Sequence, residues 1–80
     1  MRGVSPRAPR VTDREIVRSL ELGGWSMHHV AGSHYFMRHP NHPGRRVTVA
    51  VHAGEAIKRK SLRSILDEAG LSSAHLRELL

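Results

Sequence analysis

Apolar residues first take up a helical rhythm at Ile16, Val17 and Leu20, a stripe that predicts a helix once order begins at Val11. Its start is written into Thr12-Asp13-Arg14-Glu15, a capping box. The Thr12 hydroxyl can accept from the Glu15 amide while the Glu15 carboxylate reaches back to the Thr12 amide. Val11 and Ile16 hold the two positions of a hydrophobic staple, and Gly23-Gly24 predicts a left-handed stop. From Trp25 the rhythm changes to period two. Residues 25–30 read as a strand, Ala31-Gly32-Ser33 as a turn and residues 34–39 as a second strand, with His34, Phe36 and Arg38 on one face and Tyr35 and Met37 on the other. Pro40 and Pro43 lack amide donors and end that ladder. Residues 45–52 give a third strand, Val47, Val49 and Val51 opposing Thr48, Ala50 and His52. Leu62, Ile65, Leu66 and Ala69 then recur at helical spacing, predicting a helix from about Ser61 that stops at Gly70, with Leu71 as its closing apolar contact. Ser72 or Ser73 caps a last short helix whose Leu76, Leu79 and Leu80 either finish the core or mediate dimerisation.

The order is α-β-β-β-α with a C-terminal extension. It predicts an α+β fold in which two helices cover one face of a three-stranded antiparallel sheet and bury both apolar stripes at once. The division along the chain is a basic arm over residues 1–10, a folded domain over 11–71 and a helical extension over 72–80. The arm holds two prolines, a glycine and three arginines without apolar periodicity, and no apolar stretch follows them as in a secretory signal.

At 80 residues the chain makes one small domain with a thin core, so a shallow surface site is expected rather than a deep pocket. Thirteen Lys and Arg against seven Asp and Glu give a formal charge of +6, which favours a polyanionic partner. Arg38, Arg45, Arg46, Lys58, Arg59, Lys60 and Arg63 carry that excess in the folded part, mostly clustered in sequence. The absence of cysteine suits a reducing cytoplasm and removes any disulfide framework, and no run is long and apolar enough to span a bilayer.

Gly32-Ser33-His34 is the triplet with chemical potential. An imidazole fixed on a rigid element, beside a hydroxyl and among arginines, can move protons on a phosphodiester. The plainer reading makes His34 a strand-end residue that only hydrogen-bonds the turn. Seven histidines also raise a metal reading at His28-His29 and His39-x-x-His42. Neighbours in a strand point to opposite faces, however, and the loop pair has no acidic residue close by, so no metal or other cofactor is expected. Lys58-Arg59-Lys60 opposes the dipole of the helix it opens. Either a phosphate or carboxylate bound there offsets the cost, or the run is a solvated charge cluster.

Taken together, the stretch from Gly24-Trp25 through Gly32-Ser33-His34, the His39-Pro40 turn, Val47-Thr48-Val49 with His52, and the run from Ser61-Leu62-Arg63-Ser64-Ile65-Leu66 to Ala69-Gly70-Leu71 resemble the HicA toxins of bacterial toxin–antitoxin systems. The resemblance runs from about Thr12 to Leu71. It implies a fold similar to the double-stranded RNA-binding domain and an mRNA-cleaving endoribonuclease of the mRNA interferase type, acting without metal in the cytoplasm. His34 matches the family's catalytic histidine. Ser33 and Gly32 would orient it or touch phosphate, Arg38, Arg45, Arg46, Lys58, Arg59 and Lys60 would hold the RNA backbone, and His29 would serve as a second acid. The implied partners are an mRNA substrate and a HicB-like antitoxin, with no membrane and with a homodimer or toxin–antitoxin heterotetramer as the assembly. Against the family pattern, His29 stands where arginine is frequent, Ala50 where proline is frequent, and Lys60-Ser61 in place of glycine-threonine. A noncatalytic double-stranded RNA or DNA binder of the same shape is the alternative.

Overall fold

A computed structural model describes residues 11–80, so the arm read into residues 1–10 lies outside the described residues. The first helix, α1 (Asp13–Leu22), starts as its capping box dictates. The Glu15 amide donates to the Thr12 hydroxyl at 3.2 Å, and the Thr12 amide donates to the Glu15 carboxylate at 2.9 Å. The helix ends at Gly23 with φ −83°, and the left-handed turn follows one residue later at Gly24, φ +99°.

Three antiparallel strands follow in the order β1 (Ser26–Ala31), β2 (His34–Arg38), β3 (Val47–Ala50), with β2 central. Each is shifted from its sequence reading for a local reason. Trp25 drops out of the first strand because its amide closes the end of α1 on the Leu20 carbonyl at 2.9 Å. Ala31 stays in β1 as the partner of His34, leaving Gly32-Ser33 as a two-residue turn. The third strand keeps four residues of the expected eight. The Arg45 amide is held in the preceding turn by the His42 carbonyl, and the ladder runs out just past Ala50, where the Val51 amide donates to the Ser33 carbonyl opposite it.

One face of the sheet is buried. Met37, Val47 and Val49 pack against Ile16 and Leu20 of α1 and against Leu62, Ile65 and Leu66 of α2 (Arg59–Ala69). The helix α2 begins two residues before the Ser61 start, with Lys58 at its N-cap and Gly70 in the left-handed conformation at its end. The last helix, α3 (Ser73–Leu79), is capped by the Ser72 hydroxyl and inserts a fully buried Leu76 into the same core. Leu76 therefore finishes the core, whereas Leu80 remains half exposed. The architecture is the expected α+β arrangement with an open three-stranded sheet.

Candidate functional site

His34 is the first residue after the Gly32-Ser33 turn and sits on the central strand, paired with Ala31 on β1 and Ala50 on β3. Gly32 adopts φ +59°, and no other residue of the turn is left-handed, the pattern of a turn with glycine at its first central position. The Ser33 carbonyl accepts from the Val51 amide at 2.7 Å, which ties the turn to the end of β3. His34 is thus fixed at its backbone on both sides. Its cross-strand neighbours carry only methyl groups, about 5 Å away at their Cβ atoms, so the imidazole stands exposed and uncrowded.

Phe36 and Arg38 follow on the same open face, each two residues along β2. An irregularity between Met27 and His29 adds a residue to β1, so that His29 and not His28 lies opposite Phe36. Without that bulge, period-two alternation from Met27 would turn His29 toward the helices. The bulge instead stacks His29 on Phe36, with ring centroids 5.8 Å apart and planes within 21°. It also breaks the strict alternation on which the separation of His28 from His29 rested. From the β3 side the Arg46 guanidinium lies over the Phe36 ring at 4.9 Å. The open face therefore gathers His29, His34, Arg38 and Arg46 around Phe36, a residue that sequence reasoning had not marked. Its position on the face of His34 was readable from alternation, but its role depends on the bulge.

The remaining candidates lie elsewhere. Arg45 turns to the end of α2, where its guanidinium donates to the Glu68 carbonyl at 3.3 Å and fills space beside Gly70. Lys58, Arg59 and Lys60 are exposed at the start of α2. That helix start has no side-chain cap and no acidic residue in its first turn, which leaves amide donors and cations together. A groove of about 400 Å³ opens between β3 and α2, lined by Thr48, Ala50, His52, Lys58, Ser61 and Asp13 among others. Ala50 is common to this groove and to the pairing of His34, so the α2 start and His34 occupy the same end of the molecule. Asp13 is 1% exposed and binds the loop beneath, accepting from the His52 and Gly54 amides.

His39 and His42 have structural work. The Asn41 amide donates to His39 Nδ1 at 3.0 Å, which leaves Nε2–H to donate to the Gly23 carbonyl at 3.0 Å. Both rings pack on the buried Trp25, and both nitrogens of His39 are engaged within the protein. Among the described residues no three His, Asp or Glu side chains gather closely enough to hold a metal ion. No described helix is long and apolar enough to cross a membrane.

Among curated proteins none matches the sequence. The family model for the HicA toxin of bacterial toxin–antitoxin systems matches residues 14–71, which span α1, the whole sheet, α2 and its glycine stop. On that match the chain belongs to the HicA toxins of bacterial toxin–antitoxin systems.

Proposed function

We propose that this toxin is an endoribonuclease that cleaves mRNA through His34 and is silenced by a HicB-like antitoxin covering the same surface. The observation that carries the reading is the setting of His34. It is an exposed imidazole on a hydrogen-bonded central strand, flanked by Ala31 and Ala50, with His29 on the diagonal of the same face and Arg38 and Arg46 farther along it around Phe36. A nucleotide phosphate has room to approach, and the imidazole has little freedom to turn away with its backbone. In this reading His34 takes the proton from a 2′-hydroxyl, and the 2′-oxygen attacks the adjacent phosphorus. The 5′-oxygen leaves with a proton supplied by a second acid. His29, diagonal to His34 across the β1–β2 ladder, is the candidate for that role. The products are a 2′,3′-cyclic phosphate and a free 5′-hydroxyl.

Charge on the RNA is met in two places. Arg38 and Arg46 lie along the sheet face around Phe36, and Lys58, Arg59 and Lys60 sit at the uncapped start of α2, where helix amides also favour an anion. Ser33, exposed in the turn, would contact phosphate through its hydroxyl, with Gly32 setting the turn itself.

The test is induction of the wild type and of His34→Ala in a bacterial host, following growth and bulk mRNA together. Arrest with mRNA loss in the wild type alone is the expected result. Arrest by both proteins would mean toxicity by binding and would overturn the catalytic role.

A further inference from the structure

The row His29–Phe36–Arg46 goes beyond what proton transfer at His34 requires. Its members come from β1, β2 and the segment entering β3, follow one another across the open face, and end in exposed groups on both sides. A near-parallel histidine–phenylalanine stack on a solvent-facing sheet, extended by a guanidinium group, is the surface on which an unpaired nucleobase gains stacking energy. We propose that this row is a base-binding subsite, and that the substrate strand is single-stranded RNA with one base stacked on the row and the scissile phosphate at His34.

Two features decide in favour of an unpaired strand. In a duplex the base faces are already stacked on one another, and recognition falls to phosphates and 2′-hydroxyls, for which a ring row has no use. Phe36 is two residues from His34 on the same strand face, about 6.6 Å along the chain. That is the scale of one extended nucleotide step, so a base on the row leaves its neighbouring phosphodiester at the imidazole. The surround is also complementary in charge to an RNA strand, because Arg46 ends the row and Arg38 lies beside it in a chain of net +6. His29, present where the family often has arginine, suits the row because its planar ring lies offset from Phe36 with the two planes within 21°.

This subsite rests on the nuclease reading, and the test separates the two. The probe is a 2′-fluoro oligoribonucleotide, which cannot be cleaved, carrying one 2-aminopurine whose fluorescence falls when it stacks. Wild type and His34→Ala should both bind it with quenching. Phe36→Leu keeps the apolar body of the side chain but removes the ring, and should weaken binding roughly 5- to 100-fold and abolish the quench. Its salt dependence should stay unchanged, because no phosphate contact is lost. The exposed substitution His29→Leu should weaken the quench without touching the core, and serves if Phe36→Leu does not fold. A duplex of the same sequence should bind more weakly than the single strand. Unchanged affinity and quenching in both ring variants, or preference for the duplex, would overturn the subsite. A His34→Ala protein that still cleaves unmodified RNA would instead overturn the catalytic reading.

Discussion

At the residue scale, the site is made as much by small side chains as by reactive ones. Ala31 and Ala50 on either side of His34 leave the imidazole open, where larger residues would close over it. The same economy appears at Gly24, whose φ of +99° lets the chain leave α1 and pass beneath His39. A Cβ there would lie 2.4 Å from His39 Nε2, the atom that holds the Gly23 carbonyl. Gly24→Ala is therefore expected to cost roughly 1–3 kcal/mol of stability, from backbone strain and displacement of the His39 ring. Urea denaturation measures it, and an unchanged midpoint would mean the His39 brace contributes nothing. At this scale the sequence was informative where a residue's role is local. Gly32-Ser33-His34 announces a turn and a histidine at the start of the strand that follows, although Ala31, which the sequence places in the turn, belongs to β1. Arg45 was not legible in the same way, because its position beside Glu68 depends on how α2 packs, twenty-three residues further along the chain.

At the scale of elements, α1 was readable almost to the residue because its capping box, staple and apolar stripe all act within a few residues of one another. The strands were readable in number and facing but not in register. The Met27–His29 irregularity reorients His29, and nothing in the alternation of residues 25–30 encodes it. The start of α2 illustrates a conflict between stability and binding. Lys58 at the N-cap offers no acceptor to the first-turn amides, and Arg59 and Lys60 oppose the helix dipole. Lys58→Ser should supply that acceptor and stabilise the fold by about 0.5–2 kcal/mol. If the start of α2 holds RNA phosphate, the same change should weaken RNA binding and flatten its dependence on salt. Paired urea and salt titrations check both halves. A stabler protein with an unaltered salt slope would return the run to a solvated charge cluster.

At the scale of the whole molecule, a core of twelve buried apolar residues among the described ones holds α1 and α2 to one face of the sheet, with α3 packed on α1, and leaves the other face for the candidate site. Residues beyond the family match take part in that core. Leu76 of α3 is fully buried against the rest, and Leu76→Ala is expected to cost about 2–5 kcal/mol. For a small domain that is a large share of a stability of order 5–15 kcal/mol. A melting temperature close to wild type would show that α3 is dispensable. Opposite this core, the open face joins an uncrowded imidazole, a ring row and two arginines in a strongly basic chain, the combination on which the nuclease reading depends. The most direct test incubates purified wild type and His34→Ala with single-stranded RNA and analyses the new chain ends. A catalytic His34 predicts 2′,3′-cyclic phosphate and 5′-hydroxyl ends from the wild type, and a rate at least about 100-fold lower from a folded His34→Ala. Cleavage by His34→Ala at the wild-type rate would contradict it.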